Sequence, residues 1–354
     1  MAMRVAVVLF NLGGPDRPEA IEPFLFNLFN DPAIISLPGP LRWPLARVLA
    51  HRRAKVAKGI YAHLGGGSPL LKLTTAQAAA LEKSLRGRGL EARVFVCMRY
   101  WHPMSEAVAA AVAAFRPDEI VLLPLYPQFS TTTTLSSLRA WRTAAARQRL
   151  AGREHPVCCY PTAAGWIAAV SRLVRAALDQ AAAQGVPRVL FSAHGLPKRV
   201  IAGGDPYQWQ VEQTVAAIVA ALGVENLDHA ICYQSRVGPL EWIGPDTETE
   251  IKRAGRDGAA VVLVPVAFVS EHSETRGELD IEYAETAREA GVAAYVRVPT
   301  VGAAREVVDA LAGLVEDTLR RGPPIGPADG ARICPATFGR CPCPRRPGAA
   351  PAPL

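Results

Sequence analysis

The sequence predicts an α/β protein built from two similar doubly wound domains whose parallel sheets face each other across a cleft. Short runs of the first half recur in the same order in the second half: residues 5–15 with 189–197, 95–99 with 230–234, and 121–124 with 262–265. Alanine-rich stretches with helical periodicity, such as 106–115 and 211–222, separate these runs. Alternating strands and helices of this length are typical of parallel sheets. One large continuous sheet is the alternative, and the repetition argues against it.

The repeat and the composition also divide the chain into segments. Residues 1–162 form the predicted N-terminal α/β domain, which includes an apolar segment at 21–50, and residues 163–302 form the second α/β domain. Residues 303–322 are predicted to form a helix. The last segment, 323–354, is rich in proline and glycine and contains a group of cysteines. We therefore expect two domains followed by a tail.

Length, charge and cysteine content narrow the class of protein. The 354 residues, half of them hydrophobic, can bury a large core, but no apolar run reaches the roughly eighteen residues of a membrane-spanning helix. The N-terminus leads directly into a strand, so we expect a cytoplasmic protein without an export signal. The net charge of +7 comes with scattered arginines, which favours anionic substrates or lipid surfaces over nucleic acid. In such a protein, clustered members of the seven cysteines indicate metal ligands before disulfides.

A histidine at the end of a predicted strand is the first candidate functional residue. The apolar run 188–191 predicts a buried parallel strand that leads into His194, and Gly195 and Pro197 then turn the chain. In open α/β sheets, ligands bind at the carboxyl edge of the strands. A histidine that only hydrogen-bonds a loop carbonyl is the alternative interpretation.

Four glutamates follow the strand predicted at 262–265. Glu271, Glu274, Glu278 and Glu282 recur at three- and four-residue spacing, which places them on one face if the segment is helical. Carboxylates held close together raise one another's pKa, so such a row could carry protons at neutral pH. A plain solvated helix face is the alternative.

Aromatic side chains beside an arginine form another candidate site. Arg99 and Tyr100 end the strand predicted at 94–98, an arrangement that suits an anionic aromatic ligand. A structural cation–π pair fits the same spacing. In the second half, Trp242 is available to stack on a flat ring.

Three irregular blocks make the chain resemble a known family. They are Ser192-Ala-His-Gly-Leu-Pro197, Gly204-Asp-Pro-Tyr207 and the run from Tyr233 to Pro245. With these blocks the chain resembles the ferrochelatases over essentially residues 4–320. The resemblance implies the chelatase fold and a lyase that inserts Fe²⁺ into protoporphyrin IX or coproporphyrin, making haem and releasing two protons.

The resemblance also implies roles for individual residues. His194 and Glu274 would be the catalytic pair that faces across the pocket and binds the substrate Fe²⁺, with His272 and Glu278 as further catalytic groups. An imidazole can accept a proton or ligate iron, and an arginine can bind a propionate in bidentate fashion. The porphyrin-binding side chains would be Arg53, Tyr61, Ser68, Arg99, Tyr100 and Trp242.

The apolar segment 21–50 is either buried core or an exposed lip. The resemblance favours a lip that borders the porphyrin pocket and makes peripheral contact with a membrane, at the inner face if the protein is cytoplasmic. By the same analogy, the helix at 303–322 packs back on the first domain. A monomer and a homodimer both stay open.

The tail carries Cys334, Cys341 and Cys343 within ten residues, each followed by proline. A fourth thiolate would complete a 2Fe-2S cluster, and Cys158 and Cys159 are the nearest candidates. Some ferrochelatases carry such a cluster with one ligand from mid-chain and three from the C-terminus, which favours Cys158. Zinc in the same four sulfurs is the alternative.

Two other functions compete with iron insertion. A chelatase that inserts cobalt into a reduced tetrapyrrole would share the fold and the use of histidine. A two-lobed haem- or metal-binding protein without catalysis would also have a cleft between two domains, but such proteins usually carry an export signal.

Overall fold

Eight parallel strands form two separate four-stranded sheets in the computed structural model, which describes residues 3–236, 238, 240–322, 325–327 and 330–344. The first sheet contains β1 (Arg4–Asn11), β2 (Glu91–Met98), β3 (Glu119–Pro124) and β4 (Arg153–Pro156), and the second contains β5 (Pro187–His194), β6 (His229–Gln234), β7 (Ala260–Pro265) and β8 (Tyr295–Arg297). Their spatial orders are β2-β1-β3-β4 and β6-β5-β7-β8, which is the same arrangement twice. The predicted fold class and the duplication are confirmed, and the described strands do not form one continuous sheet.

Helices cover the faces of both sheets. They are α1 (Ile21–Phe29), α2 (Gly39–His63), α3 (Leu70–Gly87), α4 (Ser105–Phe115), α5 (Thr134–Gln148), α6 (Ala164–Ala182), α7 (Lys198–Ala202), α8 (Tyr207–Leu222), α9 (Thr247–Arg256), α10 (Tyr283–Glu289) and α11 (Arg305–Arg321). A 3-10 turn at Pro18–Ala20 precedes α1, and a π-helix at Glu274–Glu282 precedes α10. Local signals set several boundaries: the Asp246 side chain caps α9 by accepting the Glu248 N–H, and Gly223, at φ +60°, ends α8.

The central strands are buried on both faces. Val5 and Leu9 of β1 point into a core that continues through α3, α6, α8 and α11 to β5 and β7. Val8 and Phe10, which point the other way, pack against α4 and α5. Two-sided burial explains why these strands are nearly continuous apolar runs in the sequence.

A shared core means that the two halves pack as one body. α11 packs against α6 and also against α3 and β3 of the first half. Since apolar packing continues from one half to the other, it marks no boundary, and the division at residues 162 and 302 stays a proposal. Of the tail predicted at 323–354, the structure describes 325–327 and 330–344, and the remaining positions lie outside the described residues.

The segment at 21–50 forms α1 and much of α2, and it is only partly buried. Ile21 and Phe24 are buried, whereas the side chains at one end of α2 are exposed: Leu41 is 61% exposed, Trp43 55%, Leu45 38% and Val48 49%. An exposed apolar lip is therefore present. None of the helices in the described part of the chain combines the length and the apolarity needed to cross a bilayer.

Buried polar contacts tie the two halves together along a seam. Asp205, at the start of α8, is fully buried, and its Oδ2 accepts hydrogen bonds from Ser130 Oγ at 3.0 Å and from Thr131 N and Oγ1, both at 2.7 Å. Gln77 of α3 donates to the carbonyl of Gly302 at 2.9 Å. These contacts join loops of the first half to the segments that carry the second sheet's carboxyl edge.

We expect Asp205→Asn to destabilise the protein by about 2–4 kcal/mol, because an amide cannot accept all the hydrogen bonds of the buried carboxylate. The midpoint of urea unfolding, compared with that of the wild type, measures the change. Asp317→Asn is the matched control, since that carboxylate is half exposed and pairs with Arg320 of its own helix, so we expect a change within about 0.5 kcal/mol. Equal midpoints for the two variants would contradict the role given to Asp205.

Candidate active site

His194 is the last residue of β5 and lies at the carboxyl edge of the second sheet. The next residue must be glycine, because a Cβ at Gly195 would lie 2.8 Å from the carbonyl oxygen of Gln234 on the neighbouring strand. The Gly195 N–H donates to that carbonyl at 2.8 Å. This close approach turns the chain sharply and leaves the His194 ring half exposed at the edge of the sheet.

Glu274 brings two histidines together. His194 Nδ1 donates to Glu274 Oε2 at 2.9 Å, and His272 Nε2 reaches the same oxygen at 3.3 Å. Glu274 is the first residue of the π-helix that follows β7, and β7 is paired with β5. Adjacent parallel strands therefore deliver the imidazole and the carboxylate to one point.

Burial alone would lower the pKa of His194 and raise that of Glu274, but the contact between the two residues shifts both pKa values the other way. Burial disfavours the charged form of His194, but the charge and hydrogen bond of Glu274 outweigh it and raise the pKa of the imidazole. Burial likewise favours protonated Glu274, yet His194 and His272 hold the pKa of this carboxyl well below its ordinary range. An ionised carboxylate that stabilises an imidazolium makes the imidazole a stronger base.

The pKa of Glu278, one turn further along the π-helix, is shifted in the opposite direction from that of Glu274. Burial and the negative charge of Glu274 raise its pKa to about 7, although a hydrogen bond from Ser235 acts in the other direction. Ser235 Oγ donates to Glu278 Oε2 at 2.7 Å, and Gln234 Nε2 donates to the same oxygen at 3.2 Å. A carboxyl that titrates near neutral pH thus lies beside one that stays ionised, as expected of groups that exchange protons.

The predicted row of four glutamates was wrong in one member. The helix begins at Glu274, and Glu271 lies before it, where its Oε1 accepts from Arg297 Nη1 at 2.7 Å and from Thr300 N at 2.9 Å. Arg297 also binds Asp280 of the π-helix with two hydrogen bonds, at 2.6 and 2.8 Å. Glu271 is therefore part of an ion-pair network behind the site, in which Arg297 of β8 is its hydrogen-bonded partner and Arg276 Nε lies 3.9 Å from its Oε2.

A second departure concerns the geometry of the pair. His194 and Glu274 were expected to face each other across the pocket, but His194 ends β5, Glu274 begins the helix that follows the neighbouring strand β7, and the two make direct contact. A flat ring cannot fit between atoms 2.9 Å apart. The pair instead lies together at the carboxyl edge of the second sheet, a surface called here the His194–Glu274 wall.

Three of the residues expected to bind porphyrin lie close to this wall or to the lip. Tyr61 of α2 is buried and donates its hydroxyl to Ser273 Oγ at 3.1 Å, next to Glu274. The ring edge of Trp242 packs against the Gly195 turn, 3.4 Å from the position that a Cβ on Gly195 would occupy. Arg53 is exposed on α2.

The other three are held by internal contacts. Ser68 donates its N–H to the carbonyl of Pro15 at 2.7 Å. Arg99 pairs with the buried Asp31 at 2.8 Å, and the Tyr100 hydroxyl donates to the same carboxylate at 2.7 Å. Tyr100 is fully buried, and burial is the main reason that its pKa is raised well above the ordinary value. As placed, the Arg99 and Tyr100 polar atoms bind Asp31.

Gln234, Ser235 and Arg297 were missed by reasoning from the sequence. Ser235 has φ +62°, a conformation that serine rarely adopts and that directs it toward Glu278. The irregular block that begins at Tyr233 was the available signal for the first two. No periodicity marks Arg297, whose partners are 17 and 26 residues earlier in the chain.

Five of the seven cysteines lie together on the face of the first sheet that packs against α4 and α5. Cys158 Sγ lies 3.1 Å from Cys159 Sγ and 3.2 Å from Cys343 Sγ, and Cys341 is hydrogen-bonded to Cys343 and to Cys334. All five are buried, and all are free thiols. The predicted proximity of the tail cysteines to Cys158 and Cys159 is found. Within the described residues, however, no group of three or more His, Cys, Asp or Glu is arranged as a bound metal ion would require.

The tail loop that carries these cysteines is shaped by one guanidinium. Arg332 donates to the carbonyls of Cys334 at 3.0 Å, of Cys343 at 3.0 Å and of Phe338 at 2.9 Å. Hydrogen bonds from the thiols of Cys334 and Cys343 lower the pKa of Cys341 to about 3. A thiolate, the form that binds metals, is thus favoured within the group.

Solved structures of chelatases share this fold. SirB from Bacillus subtilis with Fe3+ is 14% identical, with a TM-score of 0.53 over 89% of this chain and 95% of that chain. The sirohydrochlorin chelatase SirB from Bacillus subtilis subspecies spizizenii, in complex with cobalt, is 12% identical, with a TM-score of 0.50 over 90% and 97%. At such low identity the likeness concerns the fold alone.

Relatives in sequence are much closer. The ferrochelatase of Caulobacter vibrioides is 53% identical over 97% of this chain and 98% of its own length, and that of Pelagibacter ubique is 47% identical over 96% and 99%. The ferrochelatase family model matches residues 4–319, which include both sheets and the His194–Glu274 pair. This chain therefore belongs to the ferrochelatase family.

Proposed function

We propose that this protein inserts Fe²⁺ into protoporphyrin IX or coproporphyrin, with His194 and Glu274 at the reacting centre. Fe²⁺ replaces the two pyrrole protons, so one haem with the same net charge as the porphyrin, and two protons, leave for each ion and porphyrin that enter. The observation that carries the proposal is the contact between a strengthened imidazole base and an ionised carboxylate, with a carboxyl of pKa about 7 beside them. Family membership favours iron over the cobalt and non-catalytic alternatives.

His194 is the group we assign to accept a pyrrole proton. When its imidazole becomes an imidazolium, the negative charge of Glu274 at 2.9 Å stabilises the product of that step. Glu278, with its pKa near 7, can take up and release the next proton under cellular conditions. Glu282, at the exposed end of the π-helix, provides a further acidic group toward solvent.

Oxygen and imidazole donors also suit the substrate metal. The carboxylate of Glu274 and the ring nitrogens of His194 and His272 are groups that bind borderline divalent ions such as Fe²⁺. Both imidazoles contact the same oxygen of Glu274, so their hydrogen bonds to it must break before iron can bind there. The same atoms could then not bind iron and accept a pyrrole proton at the same time.

The porphyrin plane is proposed to lie beside the His194–Glu274 wall. Trp242, which packs on the Gly195 turn, offers an aromatic face, and Arg53 on α2 offers an exposed cation for a propionate. Tyr61 links α2 to the π-helix through Ser273 and would hold the lip at the reacting centre. Arg99 and Tyr100 would support this site through Asp31.

The lip is proposed to rest on a membrane surface. Leu41, Trp43 and Leu45 form an exposed apolar group on α2, and Arg42 and Arg47 are interspersed among them. Apolar side chains flanked by arginines are suited to the headgroup region of an anionic lipid layer. Such contact would place the protein at the inner face of the membrane, where apolar porphyrins partition.

The tail cysteines are proposed to bind a 2Fe-2S cluster through Cys158, Cys334, Cys341 and Cys343. The donor set fits, because the sulfurs are buried together and hydrogen bonds from the neighbouring thiols lower the pKa of Cys341, which favours its thiolate. Of the four proposed ligands, Cys158 Sγ lies 3.2 Å from Cys343 Sγ, and Cys341 is hydrogen-bonded to Cys334 and Cys343. When bound, the cluster would supply a one-electron centre and a cross-link between the tail and the first half.

Replacement of the proposed base tests the main function. We expect His194→Ala to lower the rate of haem formation at least 100-fold, because positioned acid–base groups contribute about that much or more. The rate is followed, without oxygen, as the loss of protoporphyrin fluorescence after Fe²⁺ is added. His229→Ala, an exposed histidine of the same sheet, should keep its activity. Comparable rates for the two variants would remove His194 from its assigned role.

The raised pKa of Glu278 predicts a pH-dependent cost to stability. The folded protein binds this proton up to about pH 7 and the unfolded chain only up to about pH 4.5, so stability is lost as pH rises between these values. We expect Glu278→Gln to be similar to the wild type below pH 4.5 and more stable by about 2–3 kcal/mol above pH 7. Thermal unfolding between pH 4 and 9 measures the difference.

Glu285→Gln is the control for that series. The exposed Glu285 carboxylate has a lowered pKa because of its hydrogen bond with Arg288, so its replacement should give no stabilisation that grows with pH. A flat difference between Glu278→Gln and the wild type over the whole range would show that Glu278 is not perturbed as described.

The cluster proposal predicts a coloured protein. Wild-type protein purified without oxygen should be brown, with stoichiometric iron and acid-labile sulfide, and Cys341→Ser should lose the colour because a ligand is missing. Cys97→Ser, a buried cysteine bonded to Ser105 outside the group, should keep it. Comparing Cys158→Ser with Cys159→Ser identifies the fourth ligand. A colourless wild type containing zinc would support the zinc alternative.

A further inference from the structure

Gln210 is a buried amide between the sulfur group and the seam. It lies on α8 with no exposed surface, and its Nε2 donates to Cys334 Sγ at 3.1 Å and to Cys159 Sγ at 3.5 Å. Its Oε1 accepts the N–H of Phe129 at 2.8 Å. One side chain of the second half thus contacts the tail, the mid-chain cysteines and a loop of the first half.

The orientation of this amide is determined by its partners. The Phe129 N–H is a donor only, so it must meet the amide oxygen, and the amide nitrogen must then point at the sulfurs. Nε2 carries two hydrogens and has two sulfur neighbours, Cys334 of the proposed cluster and Cys159, which adjoins the proposed ligand Cys158. Every polar atom of the side chain is therefore used.

The chemistry of these contacts is specific to a negatively charged sulfur site. A neutral amide N–H stabilises thiolate charge without adding a competing ligand, and hydrogen bonds to the sulfurs are among the groups that set the potential of an iron–sulfur cluster. A glutamate in its place would retain an acceptor for Phe129 and direct the second carboxylate oxygen at the sulfurs. A leucine would leave the Phe129 N–H and both sulfurs without these bonds.

We propose that Gln210 is a positioning residue of the sulfur centre, which orients Cys334 toward the mid-chain cysteines and stabilises the negative charge that the sulfurs carry when a cluster is bound. The inference rests on the 2Fe-2S cluster proposed above. It adds a part of the centre that lies outside the cysteines and couples it to α8, which begins at the Asp205 seam.

The test uses full-length protein purified without oxygen, with Gln210→Glu, Gln210→Leu and the control Gln208→Leu. Gln208 is on the same helix, but its amide donates to Glu212 at 3.3 Å and not to sulfur. We expect Gln210→Leu to shift the midpoint reduction potential of the cluster to more negative values, because the reduced, more negative state loses more stabilisation. The titration is followed by visible absorption. In Gln210→Glu, iron should be lost to a chelator about 10-fold faster or more. Gln208→Leu should match the wild type in both measurements.

The outcomes separate this inference from the cluster itself. A wild type that binds neither iron with sulfide nor zinc overturns both. A coloured wild type whose potential and iron release are unchanged in folded Gln210→Glu and Gln210→Leu leaves the cluster intact and overturns the role of Gln210. If Gln210→Leu does not fold, Gln210→Glu decides the question, because it keeps the bond to Phe129. If the wild type contains zinc, the same comparison is made on zinc release.

Discussion

The contact between His194 and Glu274 is the interaction on which the rest of the site depends. It exists because β5 and β7 are hydrogen-bonded neighbours, so the residue that ends one strand and the helix that follows the other reach the same point. Burial acts against the charge of each group separately, and the opposite charge of the partner favours it. The two charges stabilise each other and so overcome the effect of burial. Glu278, the next carboxyl along the π-helix, has a raised pKa because it is buried beside the negative charge of Glu274.

The duplicated fold uses its two equivalent edges differently. At the end of β1, neighbouring residues fill the position that corresponds to the His194 turn. Asn11 donates to Thr74 at 2.9 Å, and a Cβ on Gly14 would lie 2.7 Å from Ser68. No titratable side chain is directed into the cleft by those contacts. The first half instead contributes the lip, Tyr61 and the polar loops of the seam. The proposed catalytic groups thus belong to the second copy of the repeat, and the first copy contributes structural support.

The seam links features that are distant in the chain. Asp205 lies just before α8 and Gln210 lies in its first turn, ten or more residues after His194, and both bind loops of the first half. The sulfur group lies against the same helix, with Arg332 holding the tail loop over it. A change in the sulfur group would therefore act first on α8 and its contacts, which are among the contacts that join the two halves.

The sequence by itself determined the two sheets, the place of His194 and the cysteines that would meet, because apolar runs and glycine-containing turns are local properties. The short β4 and β8 carried too few apolar residues to be recognised. Only the tertiary structure decided that Glu271 pairs with Arg297, that Arg99 pairs with Asp31, and that His194 touches Glu274 directly. Charge pairing depends on which distant groups share a buried volume, and hydrophobic periodicity carries no information about that.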